Sequence, residues 1–140
     1  MRILGIDYGR RRIGLAISDE AAFLARPLDP YQRTHSLQKD LESLARLARE
    51  FEAGAIVVGL PLNMDASKGE MALEVEDFVA QLQQVSKIRV IVSDERLTSA
   101  EAERVLLEGD VKRKDRKRLR DGLAATLILQ GYLDSQSNSE

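Results

Sequence analysis

Apolar positions along this chain keep two different periods, and the switches between them lay out its elements. RILGID (2–7) and IGLAIS (13–18) are short apolar runs separated by a Gly-containing turn, the pattern of a β-hairpin. A third strand is expected within 22–28 (AFLARPL), where Pro27 favours a sheet edge or a strand end. The period then lengthens. Leu37, Leu41, Leu44, Ala48 and Phe51 recur at helical spacing and predict an amphipathic helix with Gly54 as its stop signal. AIVVGLP (55–61) is a continuous apolar run closed by proline, as expected of a parallel strand buried on both faces. After the loop LNMDASKGE, a second amphipathic helix is marked by Met71, Val75, Phe78 and Leu82, and IRVIVS (88–93) is a further buried strand. Thr98 with Glu101 reads as a capping box opening a third helix that Gly109 ends. A last helix is expected roughly from Arg116 to Leu133. Its GLAATLIL stretch is apolar almost all round, which suits a buried position. The tail from about 135, SQSNSE, reads as frayed.

The order β-β-β-α-β-α-β-α-α predicts an α/β domain spanning 1–140, a mixed sheet with helices on its faces. In such sheets, sites form outside the carboxyl ends of the parallel strands.

Composition narrows the function classes. A chain that is 44% hydrophobic and 31% charged is not a disordered one. With no cysteine, disulfides and thiolate metal ligands are excluded. No leading apolar segment or stretch of transmembrane length is present, so the expected compartment is the cytoplasm. The net charge of −2 argues against a general nucleic-acid coat protein, yet residues 112–120, KRKDRKRLR, hold seven basic side chains and one acid. A local footprint of that kind on a mildly acidic protein suits an enzyme that grips a polyanion and releases it.

The acids fall at the ends of apolar elements. Asp7 closes the first strand in DYGRRRIG, Asp94 and Glu95 follow the last strand, and Asp121 opens the apolar part of the last helix on the stripe of Ala125, Ile128 and Tyr132. Any one of these is as readily a turn residue or a first-turn helix acid. Three, all projected to one rim of one sheet, favour a shared site. Gathered carboxylates raise one another's pKa, and a divalent cation removes that penalty; oxygen ligands without His or Cys suit Mg²⁺ or Mn²⁺, one or two ions. Arg10, Arg11 and Arg12, Arg96, and Lys112, Arg113, Lys114, Arg116, Lys117 and Arg118 are then candidates to hold phosphates. His35, the lone histidine, precedes a helix without an evident partner and reads as a surface residue.

Four blocks, LGIDYGRRRIGLAISD, VVGLPLNMD, SDERLTSAEAE and RDGLAATLILQGYLD, resemble the YqgF/RuvX family of RNase H-like proteins over nearly the whole chain. The resemblance implies an RNase H-like fold with a five-stranded sheet ordered 3-2-1-4-5. It also implies a metal-dependent nuclease, the family being described both as Holliday junction resolvases and as nucleases that mature the 5′ end of pre-16S ribosomal RNA. Nucleic acid, as rRNA precursor or branched DNA, is the implied partner, and junction resolution requires a homodimer. Carried over by position, the family's site acids are Asp7, Glu95 and Asp121, with Asp94 a further metal-ligand candidate. The chain departs from the family pattern after NMD, where Ala66 replaces a frequent glycine. Relatives with this fold commonly place an acid at the end of the fourth strand, where this chain has Gly59-Leu60-Pro61 and its nearest acid is Asp65 in the loop. Strands lie about 4.8 Å apart, so the backbones at Asp7 and Glu95 are expected roughly 10 Å from each other. Two side chains and a metal pair span that distance, and Gly59 leaves the space between them open. Two alternatives stand beside the nuclease: a non-catalytic RNA-binding or ribosome-assembly factor, and a nucleotide phosphotransferase related to actin and the sugar kinases, which Asp-x-Gly at a β-hairpin also resembles.

Overall fold

The structure, a computed structural model, describes residues 1–95 and 113–137, and for 113–121 and 137 the backbone path alone. Strands β1 (Arg2–Asp7), β2 (Arg12–Ser18) and β3 (Ala25–Gln32) are followed by helix α1 (Leu37–Glu50), β4 (Ala53–Leu60), α2 (Glu70–Ser86), β5 (Arg89–Asp94) and α3 (Arg113–Ser137). They build one five-stranded sheet in the order β3-β2-β1-β4-β5. The β1–β2 and β2–β3 pairs are antiparallel; β1–β4 and β4–β5 are parallel. This is the mixed RNase H-like sheet expected from the sequence. The helix expected between Thr98 and Gly109 lies outside the described residues.

Strand alternation divides the core into two layers. Leu4, Ile6, Val58 and Leu60 face α1 and α2, where they meet Leu41, Leu44, Val75, Phe78 and Leu82. Ile3, Ala55 and Val57 face the other way, onto Ala125, Ile128, Leu129 and Leu133 of α3. The helix comes very close there. A Cβ added at Gly5 would lie 2.8 Å from Leu129 Cβ, so α3 rests directly on the β1 backbone.

Three boundaries differ from the expectation. β3 runs to Gln32 and carries both Pro27 and Pro30. It forms a sheet edge, where proline costs no ladder bond, and between Leu15 and Ile13 the pairing slips so that Asp29 and Pro30 bulge out opposite Gly14. Gly54 does not stop α1. Glu52 takes the left-handed backbone there (φ 56°), while Gly54 lies within β4, where a Cβ would run into the Met1 side chain. The last helix starts at Arg113, so the basic run forms its first turns, and it continues through Ser137, beyond the expected frayed point.

Candidate active site

The carboxyl ends of β1, β4 and β5 form one rim. Asp7 ends β1 beside Gly14 of β2, and the pairing of Ile6 with Val58 brings Gly59 alongside on the other flank. Glu95 follows Asp94 at the end of β5, where Ser93 pairs with Gly59. Ile3, Gly5 and Asp7 alternate onto the sheet face that carries α3, as do Val57 and Gly59. The Glu95 side chain leans over Gly59: a Cβ at that position would lie 2.7 Å from Glu95 Oε1 and 2.8 Å from its Cγ. Glycine therefore leaves the gap through which Glu95 reaches Asp7, and the two carboxyl groups meet in a direct hydrogen bond. The two side chains thus span the gap between their strands directly.

The electrostatics follow from that contact. Burial, the Asp7 charge, the hydrogen bond to Asp7 and the Asp94 charge push the Glu95 carboxyl up to about 7. Burial also raises Asp7, against the lowering effect of the Glu95 hydrogen bond. Two half-buried carboxyls in contact repel one another when both are ionised, and either a proton or a metal ion relieves that repulsion. Their donor set, hard oxygen alone, fits Mg²⁺ or Mn²⁺. Among the described residues, no group of three potential ligands stands together.

The other candidates divide. Asp94 is in register with Leu60, which faces α1 and α2, so β5 assigns Asp94 to the sheet face opposite Asp7; its charge still acts on Glu95. Asp65 does not extend the Asp7–Glu95 pair by any described contact. Its Oδ1 accepts from the Ser67 N–H at 3.0 Å and the Ser67 hydroxyl at 2.5 Å, closing the 61–69 loop. Asp121 belongs to α3, one turn before Ala125 and two before Ile128, both buried against the sheet; its side chain lies outside the described ones. Arg96 and Lys112 lie outside the described residues, as do the side chains of Arg113, Lys114, Arg116, Lys117 and Arg118. Arg11 and Arg12 are exposed at the hairpin turn. Arg10 is exposed too, and its guanidinium pairs with Glu74 of α2, Nη2 to Oε1 at 3.0 Å. His35 is on the surface.

A second group of polar side chains, not singled out by the sequence, supports the turn after Asp7 from the far face of the sheet. Asp40 of α1 is fully buried and accepts from Tyr31 Oη at 2.9 Å, Thr34 N–H at 2.9 Å, Thr34 Oγ1 at 3.0 Å and Arg33 Nε at 3.0 Å. Burial alone would raise this carboxyl, but the bonds from Thr34, Arg33 and Tyr31 hold it below the usual range. Tyr8 packs on Phe78 and donates to Glu74 Oε2 at 2.5 Å. The signal in the sequence was the position of Asp40, three after Leu37 and four before Leu44, on the apolar stripe of its helix.

The chain is 50% identical over 137 residues to a protein of Syntrophomonas wolfei named "Putative pre-16S rRNA nuclease", covering 98% of this chain and 96% of the relative. A Thermoanaerobacter pseudethanolicus protein of the same name is 47% identical over 139 residues, 99% of each chain. Among solved structures, Thermus thermophilus RuvC in complex with a Holliday junction substrate superposes with a TM-score of 0.70 at 17% identity, covering 99% of this chain and 97% of that one, a likeness of fold. The family model described as "RuvX: Holliday junction resolvase" matches residues 1–135, and the chain belongs to that nuclease family.

Proposed function

We propose that the chain hydrolyses phosphodiester bonds of structured nucleic acid with Mg²⁺ or Mn²⁺, acting in the cytoplasm on the 5′ end of pre-16S rRNA, on Holliday junctions, or on both. The observation that carries this reading is the meeting of the Asp7 and Glu95 carboxyl groups across Gly59, on the rim of a nuclease-family sheet. Asp7, Glu95 and Asp121 would hold one or two such ions through hard carboxylate oxygens, the donor type that Mg²⁺ and Mn²⁺ take.

 When bound, such ions neutralise the acids and make a coordinated water a stronger nucleophile near neutral pH. The protein's own residues do the rest. Glu95, with its carboxyl raised to about 7, would lose its proton on holding an ion, Gly59 keeps the space between the strands clear, and the sheet rim would fix the acids relative to the scissile phosphate. Hydrolysis then joins a water oxygen to phosphorus and breaks the bond to the 3′ oxygen. Arg11, Arg12, Arg96 and the basic residues Lys112 to Arg118 would hold the flanking backbone, reading shape and charge rather than base sequence. The test is cleavage of labelled four-way junction, duplex DNA and single-stranded RNA in parallel, with Mg²⁺ and then Mn²⁺, alongside the oligomeric state that junction resolution requires. Cleavage of at least one substrate that depends on the ion supports the reading. Binding without cleavage on all of them, with either ion, would leave a non-catalytic RNA-binding factor.

A further inference from the structure

We propose that Arg33 and Asp40 are positioning residues that hold the turn after Asp7 in place from behind the sheet. The inference deepens the nuclease reading and rests on it for its catalytic consequence. The turn is tight: a Cβ on Gly9 would lie 2.2 Å from the Arg12 carbonyl oxygen, so the backbone folds directly onto itself two residues after Asp7. Arg33 grips that turn at three points. Its Nη1 donates to the Gly9 carbonyl at 3.0 Å, its backbone N–H donates to the Arg11 carbonyl at 3.0 Å, and its guanidinium lies 5.2 Å over the ring of Tyr8. Arg33 is itself held by Asp40, Nε to Oδ2 at 3.0 Å, and Asp40 has no exposed side-chain surface. Tyr31 and Thr34 complete the set of donors around Asp40, so the carboxylate has one orientation and passes it to the guanidinium.

Stability alone does not account for such a pair. Burying an ion pair costs desolvation that a well-packed apolar pair of similar volume avoids, and the attraction repays it only with good geometry and full hydrogen bonding. What an apolar pair could not do is hold the Gly9 carbonyl. The planar guanidinium bonds Asp40 and Gly9 through different nitrogens while stacking on Tyr8, a combination lysine cannot reproduce. Tyr8 follows Asp7 directly and alternates to the opposite face, so the far-face network fixes the backbone from which the Asp7 carboxylate projects.

The test uses the full chain and two variants. Arg33→Met/Asp40→Asn removes both charges together, so neither is left buried without its partner; Arg33→Lys keeps the charge pair and loses the fork. For the double variant, kcat on the cleaved substrate should fall about tenfold or more with KM unchanged, as expected for a misplaced catalytic group. Amide hydrogen exchange at residues 8–11 should quicken while β4 amides stay protected, and Arg33→Lys should fall between parent and double variant in both measurements. Ile56→Val, a small core loss in β4 away from the turn, controls for general destabilisation and should keep kcat. A folded double variant with the parent's kcat, or with unchanged exchange at the turn, overturns the proposal. Should the double variant not fold, parent-like kcat and exchange in Arg33→Lys overturn it. If the parent cleaves nothing while exchange at the turn still quickens in the variants, the nuclease reading falls and the positioning of the turn stands.

Discussion

Glu95 occupies the space that a side chain at Gly59 would fill. A Cβ there would lie 2.7 Å from Glu95 Oε1 and 2.5 Å from Ile128 Cδ1, so one methyl group would press on both the site and the helix behind it. Gly59→Ala should therefore push Glu95 away from Asp7. Activity is expected to drop about a hundredfold, the scale of a displacement of about 1 Å at a catalytic group. The stability cost, from overpacking, is about 1–3 kcal/mol. Steady-state kinetics on the purified variant, with a thermal melt to establish that it is folded, reads both effects. Full activity in a folded Gly59→Ala protein would show that the gap is not needed.

The raised Glu95 carboxyl makes stability depend on pH in a defined direction. Its ordinary value of 4.5 lies below the folded value of about 7, so between those limits the folded chain keeps a proton that the unfolded chain releases. The stabilisation from this group is complete below its unfolded value and is lost as pH rises through about 7. Metal-free protein should accordingly melt at a lower temperature at pH 8 than at pH 6, and Glu95→Gln should flatten that difference. Added Mn²⁺ should restore stability at pH 8 and do so less well at pH 5.5, where protons compete for the same oxygens.

Ala66 lies in the left-handed region at φ 71°, at the tip of a loop whose Asn63 and Ser67 backbones are bonded at 3.0 Å. An L-residue with a Cβ is strained there by about 1–2 kcal/mol, offset in part by the greater freedom that glycine would give the unfolded chain. Ala66→Gly should stabilise the protein by up to about 1 kcal/mol, measured by denaturant unfolding. A loss of stability would show that the Ala66 methyl contributes packing that outweighs its strain.

Arg10 is held by Glu74 in an exposed pair, which limits what it can offer a phosphate. Such pairs are worth about 0–1 kcal/mol, so Glu74→Gln should tighten nucleic-acid binding by no more than about fivefold. The affinity should also fall more steeply with salt, since another cation becomes available to displace counterions. Binding titrations at several salt concentrations check this; unchanged affinity and slope would show that Arg10 does not meet the nucleic acid.

Much of the fold is legible because local pattern and tertiary context agree. The continuous apolar run of β4 is buried on both faces, and Leu41, Leu44 and Ala48 of the α1 stripe face the sheet while Leu37, at its start, is exposed. Legibility fails where context overrides a local signal. Pro27 was readable as an edge-strand or strand-end residue and does lie on the edge strand, but the strand runs on through Pro30 to Gln32, beyond the expected 28. Gly54 looks like a helix stop, yet its lack of a side chain makes room for Met1, and Glu52 makes the left-handed turn instead. That Asp7 and Glu95 lie on one rim with Gly59 between them was legible because each sits at the carboxyl end of a strand; their direct contact was not. The face assigned to Asp94 was not, since it depends on register with Leu60. The Arg33–Asp40 support escaped for a different reason: arginine beside a loop and aspartate in a first helical turn are ordinary surface residues until folding buries one of them.

Asp7→Asn separates chemistry by the acid that ends β1 from a role in maintaining the fold. The substitution keeps the shape of the side chain and removes its charge, so the variant should fold and bind nucleic acid as the parent does. Measured on the best-cleaved substrate with Mg²⁺ and with Mn²⁺, its cleavage should vanish. A folded Asp7→Asn protein that cuts at the parent's rate would contradict the account.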